Sequence, residues 1–254
     1  MATIDLNSDL GEYESEEFLA LEAQLMPLIT SVNIACGVHA GNPTLMRRTA
    51  GLAAHYGTAI GAHPGFPDVD GFGRHDRRAS QLEVESLITA QLKTLAEVLA
   101  SDHLTLTHVK LHGALYNVAA SDQTVADAVA RAVASFNPHL LLFALAGSAL
   151  VASGKNAGLA VVQEAFADRA YRSDGSLVPR SQPGALLKTE QQVRRQLREI
   201  LNGYVTSIDG QLIALQADSL CIHADTPQAL EFVRLVRNEI ESVGIGIAPV
   251  YIAR

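Results

Sequence analysis

Short apolar runs separated by stretches of helical periodicity organise the chain. The runs cover residues 3–7, 31–35, 58–62, 107–111, 140–145, 159–162 and 219–222, each four to six residues long. Continuous apolar runs, without strict in-out alternation, suit strands covered on both faces, as in a parallel sheet. Helical signals lie between most of them. Val84, Ile88, Leu92, Leu95 and Leu99 recur at steps of three and four and form one stripe. Ser80-Gln-Leu-Glu83 ahead of that stripe is a capping box. Asn42-Pro43 and Thr226-Pro227 predict two further helix starts, and Gly57 and Gly244 the ends of those helices. The last helix is predicted to turn Leu230, Val233, Val236, Ile240 and Val243 inward.

Strand and helix in alternation define an α/β fold. Seven or eight such units in one domain spanning 1–254 predict a closed (βα)7-type barrel, with an open doubly wound sheet as the alternative. Two regions break the pattern. Residues 203–215, with Ile208-Asp-Gly-Gln211, predict a small hairpin insertion. Residues 64–79 and 172–188 are long connections bearing Gly, Pro and Arg, of the kind that serve as lids.

The ends of the runs and the residues just beyond them carry the chemistry. At the first come Asp5, Asn7, Asp9 and Glu12; at the second Asn33, Cys36, Gly37 and His39; after the third His63, with Asp68 and Arg74 in the loop. The fourth ends at Lys110 and His112, the sixth runs into Glu164, Asp168 and Arg169, and the seventh ends at His223 and Asp225. In closed and open α/β sheets alike these strand ends converge on one mouth, where sites are built. Polar groups inside strands are costly unless paired or used, so the set reads as an active site, with helix capping and salt bridges as the plain alternative for single members.

Net charge is −8, which argues against nucleic-acid and anionic-membrane partners. Two cysteines, Cys36 and Cys221, make no disulfide framework, no apolar run reaches the length of a bilayer span, and residues 1–15 lack a signal-peptide pattern. A cytoplasmic protein is the expectation. Cys36 reads as a small buried residue, His108 as a packed core histidine, and His55, His75, His103 and His139 as surface or loop residues. Residues 147–155 end in Gly-Lys but fail as a phosphate loop: six residues separate the glycines and Asn156 replaces Ser or Thr. Gly71-Phe-Gly-Arg74 could hold an anion on its backbone N–H groups.

Several longer words resemble a known family. Asp5-Leu-Asn-Ser-Asp-Leu-Gly-Glu12, Asn33-Ile-Ala-Cys-Gly-Val-His-Ala-Gly41, Gly61-Ala-His-Pro-Gly65 and Gly71-Phe-Gly-Arg74 are similar to signatures of the family of 5-oxoprolinase A subunits, also called the lactam-utilisation family. Val109-Lys-Leu-His-Gly-Ala-Leu-Tyr-Asn117, Glu164-Ala-Phe-Ala-Asp-Arg-Ala-Tyr171, Val178-Pro-Arg180 and Cys221-Ile-His-Ala-Asp225 continue the match in order, over essentially the whole chain. The sequence departs from the family's usual residues at Ser8, Asn42, His75, Leu111 and Ala224.

The resemblance implies a seven-stranded barrel similar to the glycoside hydrolase/deacetylase group. It also implies ATP-dependent opening of 5-oxo-L-proline to L-glutamate, in a complex with subunits B and C. ATP is then the implied cofactor, bound by the complex at a place this chain does not reveal. For that reaction Asp9, His39, His63, Lys110, His112 and Asp225 are the expected catalytic set, and Asp5, Asn7, Glu12, Asn33, Arg74, Glu164, Arg169 and His223 the expected substrate-binding set. Asp9 or Asp225 would orient a histidine, His39, His63 or His112 would move protons, and Lys110 and Arg74 would hold phosphate or carboxylate. Two alternatives stand beside this: a deacetylase or amidohydrolase using a divalent metal without ATP, and a scaffold subunit whose charged mouth receives partner side chains.

Overall fold

The computed structural model describes residues 2–75 and 77–251; Asp76, within the first long connection, lies outside them. Each apolar run forms a strand: β1 (Thr3–Leu10), β2 (Ser31–Ala35), β3 (Ala59–His63), β4 (His108–Lys110), β5 (Leu141–Leu145) and β6 (Ala160–Phe166). The hairpin β7 (Tyr204–Thr206) and β8 (Leu212–Ala214) comes next, then β9 (Ser219–Cys221) and the short β10 (Gly246–Ile247). Among the described residues seven strands pair in parallel in the order β1-β2-β3-β4-β5-β6-β9, and β9 pairs back onto β1. That last pairing closes the barrel and removes the open-sheet alternative. β10 adds to the start of β1, with Thr3 opposite Gly246, and β7–β8 is the antiparallel insertion expected from its turn.

Helices α1 (Glu16–Leu25), α2 (Pro43–Tyr56), α3 (Gln81–Ser101), α4 (Gly113–Ser121), α5 (Gln123–Phe136), α6 (Ala149–Asn156), α7 (Glu190–Leu201) and α8 (Ala229–Ser242) lie between the strands. The apolar stripe of α3 is buried as its periodicity predicts, and both halves of the Ser80–Glu83 capping box form. Asn42 caps α2, and Gly57 ends it at φ 71°. The α8 expectations need correction. Thr226-Pro227 does not open the helix: Thr226 offers only its carbonyl to Ala229 N, at 3.0 Å, and the helix begins two residues after the proline. Val243 is 59% exposed, because α8 ends at Ser242 and Val243 is the cap beyond its apolar stripe. Arg194 and Arg198 on α7 meet Glu239 of α8 at the surface.

Alternate strand residues face opposite sides, and here the two sides differ in kind. Leu6, Leu10, Val32, Ile34, Ile60, Ala62, Val109 and Leu142 join the helices in one apolar layer. The barrel interior divides in two: Leu141, Phe143 and Val162 form a small separate apolar cluster, against which Val250 packs, while the remainder is mainly polar, with Phe166 stacked on His223 and near Lys110. This division explains why β1 and β6 run further than their apolar runs. Asp5, Asn7, Asp9 and Glu164 are strand residues, not residues after strands, because each finds partners across the barrel.

Candidate active site

The interior polar residues stack in layers. Lowest is Asp5, fully buried; its carboxylate accepts hydrogen bonds from Thr30 Oγ1 (2.7 Å), Ser31 Oγ (2.6 Å) and Ser219 Oγ. Burial pushes its pKa up despite those three donors. Asp5 thus ties β1 to β2 and β9 beneath the mouth, out of reach of solvent.

The next layer is a closed network. Asn7 Nδ2 donates to Glu164 Oε1 and Ser219 Oγ, both at 2.8 Å. Asn33 Nδ2 donates to Asn7 Oδ1 and Asp9 Oδ1, also at 2.8 Å, and its own Oδ1 lies 2.9 Å from His108 Nε2. Tyr116 OH donates to Glu164 Oε2 at 2.8 Å. Asn7, Asn33 and Glu164 have no exposed surface, so they support the site from below instead of touching substrate. His108 is the packed core histidine expected, and Gly61 is glycine because a Cβ there would overlap its ring.

Lys110 rises through this layer. Its Nζ lies 3.0 Å from Asn7 Oδ1, Asp9 Oδ1 and Cys221 Sγ and 2.9 Å from Glu164 Oε1. An ammonium has three protons, and four buried acceptors already compete for them. Burial works against its charge, but Asp9, Cys221 and Glu164 together hold its pKa well above the ordinary lysine value. Lys110 is thus the counter-ion of the interior, and to hold phosphate or carboxylate directly it would have to give up one of these contacts. Cys221, its neighbour, had no role from sequence; the cue was its place two residues before His223 at a strand end.

At the mouth sit Asp9, Glu12, His39, His63 and His112. His63 Nδ1 is 2.8 Å from the Lys110 carbonyl, and its Nε2 is 3.3 Å from Asp9 Oδ2 and 2.9 Å from His112 Nδ1. His112 Nε2 is 2.7 Å from the Phe72 carbonyl. His39 stacks flat on His112, with ring centroids 3.8 Å apart, and neither of its nitrogens has a hydrogen-bond partner among the described residues. Burial, reinforced by His63, pushes the His39 pKa down to about 3, and burial with His63 and His39 holds His112 well below the usual range. Burial also opposes the Asp9 charge, but His63 and Lys110 hold that carboxyl well below its ordinary value. Glu12 is pushed the other way, by burial and by the charges of Asp9 and Asp225. A cavity of about 10 Å³, close to the space of one water molecule, opens between Asp9, Glu12, Tyr13 and Ala224.

The 64–79 connection folds over this cluster. Phe72 takes φ 54°, a conformation costly for a bulky side chain. The reward is that its carbonyl meets His112 while its ring lies edge-on to His39 and His112 and stacks on Tyr13. Gly73, at φ 65°, leaves room that a Cβ would take from His112 Cδ2, 2.8 Å away. The anion loop suggested by Gly71-Phe-Gly-Arg74 is corrected. Its N–H groups are already used: Gly71 N donates to Asp68 Oδ1, Gly73 N to the Asp68 carbonyl and Arg74 N to the Gly71 carbonyl.

Arg74 reaches instead to Asp225, 2.6 Å from Oδ2, and Arg180 of the second long connection reaches the same oxygen at 2.8 Å. Burial opposes the Asp225 charge, but His223, Arg180 and Arg74 bring its pKa down to about 2. The hydrogen bonds of Asp225 go to these two arginines and not to a histidine ring. Asp168 holds His223, whose Nδ1 is 2.9 Å from Asp168 Oδ2, and Asp9 faces His63. Arg169, expected to bind substrate, is buried and donates to the Val178 carbonyl at 2.7 Å, which ties down the second connection. Arg180, the residue that does face the mouth, was legible only as the end of Val178-Pro-Arg180.

Residues 4–254 match the LamB/YcsF family. The A subunit of 5-oxoprolinase from Tolumonas auensis is 46% identical over 248 residues, covering 97% of this chain and 99% of the relative. That of Bacillus subtilis is 44% identical over 251 residues, covering 98% of each. The crystal structure of a lactam utilization protein from Thermus thermophilus superposes with a TM-score of 0.87 at 40% identity, covering 98% of this chain and all of that one. With the family match spanning residues 4–254 and relatives this similar over nearly their whole length, the chain belongs to the LamB/YcsF family.

Proposed function

We propose that this chain is the lactam-opening subunit of an ATP-dependent 5-oxoprolinase, hydrolysing 5-oxo-L-proline to L-glutamate together with subunits B and C. The observation that carries the reading is the mouth cluster of Asp9, Glu12, His39, His63 and His112, set in a chain whose full-length relatives bear the name of the 5-oxoprolinase A subunit.

A five-membered lactam is unstrained and resonance-stabilised, so water opens it slowly and with little driving force. Transfer of the ATP γ-phosphoryl group to the lactam oxygen, with ADP leaving, makes the ring carbon electrophilic. Water then adds to that carbon and loses a proton. The C–N bond breaks as the nitrogen is protonated, and a second water releases phosphate from the acyl phosphate, leaving glutamate. The chain's residues divide this work. His39, whose ring nitrogens have no hydrogen-bond partner among the described residues, accepts and returns protons at the mouth beside Glu12. Asp9, kept ionised by Lys110, places a negative charge beside the histidine cluster, where it stabilises positive charge that develops at the mouth. Arg74 and Arg180 converge where an anionic group of the substrate would compete with Asp225 for them. No phosphate loop supports ATP binding by this chain, and residues 149–156 of the Gly-Lys segment are simply α6.

The test is glutamate and phosphate release from 5-oxoproline and ATP, measured for the chain alone and after reconstitution with subunits B and C. Glutamate should form in the reconstituted mixture and fall to background with Asp9→Asn. Absence of glutamate from the complete mixture would overturn the reading.

A further inference from the structure

The two histidines at the centre of the mouth face each other with the wrong ends. A carbonyl oxygen only accepts hydrogen bonds. His63 Nδ1 lies 2.8 Å from the Lys110 carbonyl, so that nitrogen carries the proton. His112 Nε2 lies 2.7 Å from the Phe72 carbonyl, so its proton is there. What remains are His63 Nε2 and His112 Nδ1, two nitrogens with lone pairs 2.9 Å apart. Carboxylates close in on both: Asp9 Oδ2 is 3.3 Å from His63 Nε2, and Glu12 Oε1 is 3.6 Å from His112 Nδ1. Four electron donors thus converge with no donor proton between the rings.

We propose that His63, His112 and Glu12 bind a divalent first-row transition-metal ion, with Asp9 alongside. The three ligand atoms lie within 4.8 Å of one another. Two imidazole nitrogens about 2.1 Å from one ion, at about a right angle, sit about 3.0 Å apart, close to the separation seen. Metal-binding histidines regularly donate their second N–H to a backbone carbonyl, which fixes the tautomer, and both rings do so here. An imidazole and carboxylate set favours ions such as Zn²⁺, Co²⁺ or Mn²⁺ over Mg²⁺ or Ca²⁺. His39, buried, stacked on His112 and with Nε2 3.8 Å from Glu12 Oε1, is left as the group to hydrogen-bond a water on the ion.

A second trio, Asp9, Cys221 and His223, also comes within ligand distance. It does not carry the site, because the Lys110 ammonium lies 3.0 Å from both Asp9 Oδ1 and Cys221 Sγ, and Asp168 holds His223 Nδ1. Ion binding at His63, His112 and Glu12 stands whether or not the chain opens lactams.

The experiment is titration of the chelator-stripped full chain with Co²⁺, followed by calorimetry and visible absorption without lactam or ATP, then displacement by Zn²⁺. One equivalent should bind, with ligand-field bands and no thiolate-to-cobalt charge-transfer band. Glu12→Gln and His112→Gln should each weaken binding by about 100-fold or more, while Cys221→Ser should leave it unchanged. Folding of each variant is checked by circular dichroism, and Glu12→Gln alone decides if the other fails to fold. Sub-stoichiometric binding by the wild-type chain, binding undiminished in the folded variants, or a charge-transfer band lost with Cys221→Ser would each overturn the assignment.

Discussion

Lys110 Nζ stands 3.0 Å from Asp9 Oδ1 in the barrel interior, with the lysine side chain 2% exposed and the aspartate 10%. Such a pair is replaceable only as a unit, because removing one partner strands the other's charge. Lys110→Met leaves Asp9 and Glu164 without their shared cation and should cost about 3–5 kcal/mol in unfolding free energy. Urea denaturation measures this. A loss below about 1 kcal/mol would place the pair among weak surface bridges instead.

Asp225 gives a pH signature. Its carboxyl falls from 3.8 to about 2 on folding, so the folded state binds the proton more weakly than the unfolded one. The stabilisation is complete above the unfolded value, declines as pH falls from 3.8 towards 2, and is gone below. A shift of this size corresponds to about 2 kcal/mol at neutral pH. Asp225→Asn should lose that amount at neutral pH and flatten the acid limb of the stability curve between the same two values. An unchanged acid limb would show that His223 and the two arginines do not hold the charge.

Gly61 and His108 form a space-sharing pair on neighbouring strands. Gly61→Ala should destabilise by about 1–3 kcal/mol through overpacking. In a His108→Ala background the same change should cost markedly less, since the overlapping ring is gone. Equal costs in the two backgrounds, measured as a double-mutant cycle, would refute the pairing.

Arg74 and Arg180 come from different long connections and meet on one carboxylate oxygen. If they receive the substrate's carboxylate, Arg74→Met and Arg180→Met should each raise KM for 5-oxoproline by roughly 10- to 100-fold, the worth of one charged hydrogen bond. Steady-state kinetics of the reconstituted enzyme decide this, and an effect confined to kcat would assign the pair to closing the loops.

Much of the architecture was legible because it is local. The seven apolar runs, the α3 stripe with its capping box, the Asn42 cap and the 203–215 hairpin each depend on residues close in sequence. The α8 start was misread for the same reason: a Thr-Pro pair looks like a cap whether or not the chain turns first. Among the candidate site residues, His63 at a strand end and Glu12, His39, His112, Arg74 and Asp225 in the connections that follow strands do meet at one mouth.

Residue type and spacing thus determined a parallel barrel and the polar character of one end of it. Depth and partnership were decided only in three dimensions. Asp5, Asn7, Asn33, Glu164 and Lys110 have the chemistry of substrate ligands, but closure of β9 onto β1 surrounds them with one another and seals them from solvent. Which nitrogen of His63 and His112 carries the proton was likewise invisible in sequence, because it depends on carbonyls of Lys110 and Phe72, the latter brought in by a loop from the opposite side of α3 in the chain. A strand pattern sets which face a side chain takes; the far side of the barrel sets what it meets there.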